Sequence, residues 1–175
     1  FVTISDPHFY PESLMGGKCD AWTEYASSNT KQFAQSEQLM RTAIETAVAR
    51  NPELDYILIP GDLTKDGEYD AHIAFAALLE EYEAKYDIDF LVINGNHDTN
   101  QDRALTFVNG KKETARSIQA DEFATVYKNL GYDLAFTRYA KDDENKINGL
   151  SYAADLKDEN GKETYRLIVI DSCKY

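Results

Sequence analysis

Asp6-Pro7-His8, Gly61-Asp62-Leu63-Thr64 and Gly95-Asn96-His97-Asp98 are the stretches of this 175-residue sequence where carboxylate, imidazole and amide groups crowd together. That donor set suits divalent or trivalent transition metals. Asp6 and His8 stand two apart, so at the exit of a strand they can point the same way and grip one ion. Asp62 has two carboxylate oxygens and can bridge a pair of ions about 3.5–4 Å apart, the separation used by two-metal hydrolases. Asn96 offers a neutral oxygen to the second ion. A neutral ligand keeps the pair electrophilic, which favours proton loss from a bound water whose pKa can fall to about 7.

Each cluster follows a short apolar run, Val2 to Ser5, Asp55 to Ile59 and Phe90 to Asn94, of the kind found in sheets covered on both faces. Between the first two runs Phe33, Met40, Ala43, Ile44, Ala47 and Val48 recur at helical spacing, with Asn29 and Gln32 as the cap and Pro52 as the stop. Phe75, Leu79, Tyr82 and Tyr86 form a second helical stripe. The order β-α-β-α-β predicts parallel strands joined by right-handed crossovers. The carboxyl ends of such strands share one edge, where clusters distant in sequence converge. Gly61 and Gly95 are expected to let the backbone turn sharply there.

After Asp98 the pattern changes to a polar stretch, a helix from about Ala115 to Lys128, and apolar or alternating runs near 134–139, 150–156 and 164–171 that read as antiparallel. Asp158-Glu159-Asn160-Gly161 is the turn between the last two, because Asn-Gly accepts the positive φ of a tight hairpin. With no repeat or low-complexity linker, residues 1–175 read as a single domain.

A net charge of -13 argues against a protein that grips duplex nucleic acid through phosphate contacts. Small phosphorylated substrates remain compatible, since bound cations reverse the charge locally. No apolar run approaches the roughly 18 residues of a membrane helix, so no transmembrane segment is expected. Cys19 and Cys173 are expected to be free thiols. The chain opens inside a strand, as expected of a piece whose preceding segment, with any targeting leader, is not included; cytoplasmic and extracytoplasmic settings both fit.

In this order and setting, DPH, GDLT and GNHD resemble the first three signatures of the calcineurin-like metallophosphoesterases. The resemblance is firmest over residues 1 to 98 and extends more loosely to Leu150–Ser172. It implies that Asp6 and His8 bind a first metal, that Asp62 bridges and that Asn96 binds the second, the ions being manganese, iron or zinc. His97 would face the phosphate and stabilise or protonate the leaving oxygen, with Asp98 orienting it. The implied reaction is hydrolysis of phosphomonoesters or phosphodiesters by a hydroxide bound at the dinuclear site. The implied fold is an α/β sandwich of two sheets flanked by helices.

The family completes its site with later histidines ending in a G-H-x-H signature. Here only His8, His72 and His97 exist, so a C-terminally truncated domain, inactive by itself, is expected. His72 is read as a helix-surface or packing residue, Asp171 as a structural hydrogen-bonding residue, and Tyr10, Lys18 and Trp22 as ordinary loop packing. The acidic run Asp142 to Gly149 fails the register of a calcium loop, because Lys146 falls where a carboxylate or amide is needed. A non-catalytic binding module that keeps the fold is the alternative function, and a phosphatase acting on phosphoproteins is a third.

Overall fold

The YILIP run of β2 (Tyr56–Pro60) lies between β1 (Val2–Thr3) and β3 (Asp89–Ile93) in a three-stranded parallel sheet. The structure, a computed structural model, describes residues 1–139, 149–158 and 160–173. Ile57, Ile59, Phe90 and Val92 are fully buried on one face, and on the other Leu91 and Ile93 are buried and Leu58 half-buried, which explains why β2 and β3 read as apolar runs. In register, Val2 faces Ile57, and Pro60 faces Ile93. β1 is shorter than expected, although the Ile4 N–H still donates to the Leu58 carbonyl at 2.9 Å before the chain turns away.

Both expected crossover helices form. α2 (Ser36–Arg50) buries Met40 and Ile44, one turn apart, and stops two residues before Pro52. Its cap differs from expectation: a 3₁₀ turn over Phe33–Gln35 leads in, and Gln35 occupies the capping position. α3 (Tyr69–Tyr86) buries Ala71, Phe75, Leu78, Leu79 and Tyr82 at helical spacing. It ends on Asp87 in the left-handed region, whose N–H bonds the Glu83 carbonyl at 2.9 Å. Leu79 is fully buried, and truncating it to alanine would cost about 2–5 kcal/mol.

Two elements were not expected. The segment after the DPH cluster holds α1 (Asp20–Ser27), and the 99–120 stretch holds a hairpin of β4 (Leu105–Val108) and β5 (Lys111–Thr114). The expected helix is shortened to α4 (Ala120–Val126), because residues 115–118 bond instead to Ala104 and to the segment from Gly67 to Tyr69, and it opens on a capping box between Gln119 and Glu122. α1 is held by aromatic stacking rather than by periodicity: Trp22 lies parallel to Tyr10 at 5.2 Å and edge-on to Phe107 at 5.2 Å. Tyr10 and Trp22 are thus packing residues, while exposed Lys18 pairs with Glu12 at 3.1 Å.

β6 (Ala135–Arg138), β7 (Tyr152–Lys157) and β8 (Glu163–Val169) form an antiparallel sheet, as read from the sequence. Tyr152, Ala154 and Leu156 join the same buried cluster as Phe90 and Val92, and the Tyr152 hydroxyl donates to the Val92 carbonyl at 3.0 Å. At the β7–β8 turn the Gly161 N–H donates to the Asp158 carbonyl at 2.9 Å. Both cysteines are free thiols. Of the acidic run 142–149, only Gly149 lies within the described residues. Among the described residues no helix is long and apolar enough to cross a membrane.

Candidate metal centre

The parallel sheet delivers the three polar clusters to one edge, and the backbone there is strained. Asp6, His8 and Asp62 all hold positive φ, at 54°, 42° and 49°. Left-handed backbone costs an L-residue roughly 1–2 kcal/mol, and such conformers gather at functional sites. Beyond the kink the β1 and β2 chains rejoin: the His8 N–H donates to the Asp62 carbonyl at 3.0 Å and the Phe9 N–H to the Leu63 carbonyl at 2.9 Å. The ladder on either side therefore fixes the strained residues against each other.

One ligand atom from each of Asp6, His8 and Asp62 lies within 4.8 Å of the other two. His8 Nε2 is 3.7 Å from Asp62 Oδ2, and the Ser5 hydroxyl donates to the Asp6 carboxylate. Burial lowers the His8 pKa, and Lys31 lowers it further against the pull of Asp62. Neutral imidazole is the form that binds metal. Lys31 Nζ itself lies 3.0 Å from His8 Nε2, so a cation already sits at the ligand nitrogen.

Two glycines let the loops meet, but only Gly61, at φ 97°, does so by turning. Gly95 is needed for space: a Cβ there would stand 2.2 Å from Asp62 Oδ1, and one on Gly61 would stand 2.9 Å from Gly95 Cα. The third cluster closes over Asp62, whose Oδ1 accepts the His97 N–H at 3.0 Å. The His97 ring meets that of His8 edge-on at 4.9 Å. Asn96 lies between Gly95 and His97 with an exposed side chain.

Asp98, the group expected to orient His97, directs its carboxylate to backbone N–H groups. The Asp98 carboxylate is fully buried and accepts the backbone N–H groups of Leu63, Thr64 and Gly95 at 3.0, 2.9 and 2.7 Å. It therefore clamps the β2 loop to the β3 loop. Burial lifts its pKa to about 7 against those donors. His97 Nδ1 instead faces Asp66 Oδ1 at 2.8 Å and the Lys65 carbonyl at 2.9 Å. Both partners are acceptors, so Nδ1 carries the proton and Nε2 is presented outward. Burial by itself would raise the Asp66 pKa, but Lys65, His97 and Arg103 more than offset it and hold it below the ordinary value.

His72 is buried rather than on the helix surface. Its Nε2 lies 2.9 Å from the Asp98 carbonyl and its Nδ1 2.7 Å from the Tyr127 hydroxyl, so it holds the opposite tautomer, with the proton on Nε2. Burial drives its pKa down to about 3. Asp171 accepts from Asn94 Nδ2 at 3.2 Å and from the Cys173 N–H at 2.9 Å, tying the end of β3 to the chain beyond β8.

The family model for calcineurin-like phosphoesterases matches residues 1–170. The chain belongs to that family. Comparison with curated proteins returns no match. For a calcineurin-like phosphoesterase, the residues present fit a first metal ion, because two carboxylates and a neutral imidazole within 4.8 Å are a transition-metal donor set.

Proposed function

We propose that this chain is the part of a metal-dependent phosphoesterase that binds the first ion and carries the proton donor, acting on phosphomonoesters or phosphodiesters. The fold would be the family's two-sheet sandwich flanked by helices, with residues 1–175 in one domain. The observation that carries the reading is the Asp6, His8 and Asp62 group with the His97 ring 4.9 Å from His8. Membership of a phosphoesterase family supports a phosphate-ester substrate.

Asp6 and His8 would hold the first ion, Asp62 would span both and Asn96 would hold the second, the ions being manganese, iron or zinc. When bound, such ions supply Lewis acidity to phosphoryl oxygens and lower the pKa of water to about 7. The chain's own contribution is to keep His8 neutral, to hold Asp62 through the His97 N–H, and to fix His97 in the Nδ1–H tautomer. In its protonated form His97 can then pass the Nε2 proton to the departing alkoxide oxygen, with Asp66 stabilising the imidazolium. This pairing favours an enzyme over a binding module, which would have no use for an oriented imidazole.

The test is hydrolysis of an aryl phosphate and an aryl phosphodiester, before and after chelation, by the longer protein of which this chain would be a part, since the 175-residue chain alone is expected to be inactive. Turnover that requires manganese, iron or zinc, is lost on chelation and returns with the metal supports the reading. Turnover that survives complete metal removal contradicts it, and metal binding without any turnover leaves the binding module.

A further inference from the structure

Lys65 lies beneath the candidate proton donor, in a place where a cation is costly. It is 3% exposed, between Asp66 at 9% and fully buried Glu68. Its Nζ sits 2.5 Å from Asp66 Oδ2 and 3.7 Å from Glu68 Oε1. Three aromatic rings surround it, with centroids of Tyr25, Phe33 and Tyr10 at 5.3, 5.8 and 6.0 Å. Ring faces attract a desolvated ammonium, and a buried carboxylate beside it repays part of the lost hydration. Glu68 fixes the geometry further, because its Oε2 accepts the Asp66 N–H at 3.0 Å and its Oε1 the Leu105 N–H at 3.3 Å.

We propose that Lys65 is a positioning residue, whose caged ammonium holds the Asp66 carboxylate against His97 and so selects the imidazole tautomer. The residue reaches His97 twice, directly through its carbonyl at 2.9 Å and indirectly through Asp66 at 2.8 Å. Without the ammonium, the remaining cation near Asp66 among the described residues is Arg103, 3.7 Å away on an exposed side chain. A carboxylate so released swings toward solvent or takes up a proton, and either change weakens its grip on Nδ1–H. The inference deepens the reading of His97 as proton donor and rests on it for its chemical purpose. The tautomer, however, is measured with no substrate present, so the two claims fail separately.

The test is nitrogen-15 NMR of the histidine rings at about pH 8.5, where an ordinary imidazole is neutral. The protein has three histidines, and His72, locked in the opposite tautomer, reports whether the fold persists. In the wild type His97 should show two widely separated nitrogen shifts, with Nδ1 protonated. In Lys65→Met, which fills the aromatic cage with an uncharged chain of similar length, the His97 pair should draw together while the His72 pair stays fixed. An unchanged His97 pair in a folded Lys65→Met protein overturns the proposal. If the His72 pair is lost as well, the variant has unfolded, and Lys65→Gln replaces it under the same two outcomes.

Discussion

His97 Nδ1 stands 2.8 Å from Asp66 Oδ1, so the imidazole is oriented by a carboxylate from the β2 loop rather than by its sequence neighbour Asp98. The two acidic residues therefore make different predictions. In the longer, catalytically complete protein, Asp66→Asn should lower turnover by about 10- to 100-fold while changing unfolding stability by no more than about 1–2 kcal/mol. Asp98→Ala strands the buried backbone N–H groups of Leu63 and Thr64 and the half-buried one of Gly95, and should cost about 3 kcal/mol or more. Denaturant unfolding beside steady-state rates separates them, and the reverse pattern would restore Asp98 as the orienting group.

Asp6 holds left-handed backbone at φ 54° on an exposed side chain. Asp6→Gly should therefore stabilise the metal-free protein by about 1 kcal/mol while weakening its hold on the first ion. Unfolding curves with chelator present, paired with metal titration, test both halves. A destabilised metal-free variant would show that the strain argument is wrong.

Burial of neutral His72 links stability to pH. With a folded pKa of about 3, below the ordinary imidazole value, its contribution is complete above about pH 6.5 and is lost as pH falls toward 3. The stability gap between wild type and His72→Asn should therefore widen by roughly 2–3 kcal/mol between about pH 4.5 and 7. Asp98, raised by burial to about 7, acts in the opposite direction, but it is present in both proteins and largely subtracts out. A gap that narrows with rising pH would contradict the buried neutral assignment.

How far the sequence could be read depended on which force held each element. The parallel strands were legible because Ile57, Ile59, Phe90 and Val92 are fully buried on one face while Leu91 and Ile93 are buried and Leu58 half-buried on the other, so they stand out as apolar runs. α1 escaped notice because ring stacking between Trp22 and Tyr10 leaves no helical period. The β4–β5 hairpin carries the same Asn-Gly signal as the later turn, at Asn109-Gly110 with φ 49° and 78°. Fully exposed Lys111–Thr114, with no alternation, hid it. At the site, Asp6, His8 and Asp62 could be read from their places at strand ends. Asp66 and Lys65 could not, because they lie in the loop beyond the strand end, where spacing does not say which side chain turns back to meet His97. The available signal was a second carboxylate in the loop that carries Asp62.

The central claim is that Asp6, His8 and Asp62 form a metal site, and calorimetric titration of the 175-residue chain with manganese or zinc tests it most directly. On this chain a first ion would have three ligands, Asp6, His8 and Asp62, whereas a second would have only the Asp62 carboxylate and the Asn96 amide, which would compete poorly with water. One ion should bind per chain and be lost in Asp62→Asn and in His8→Ala, with no second site of comparable affinity. No binding at all, or binding that Asp62→Asn leaves intact, would contradict it.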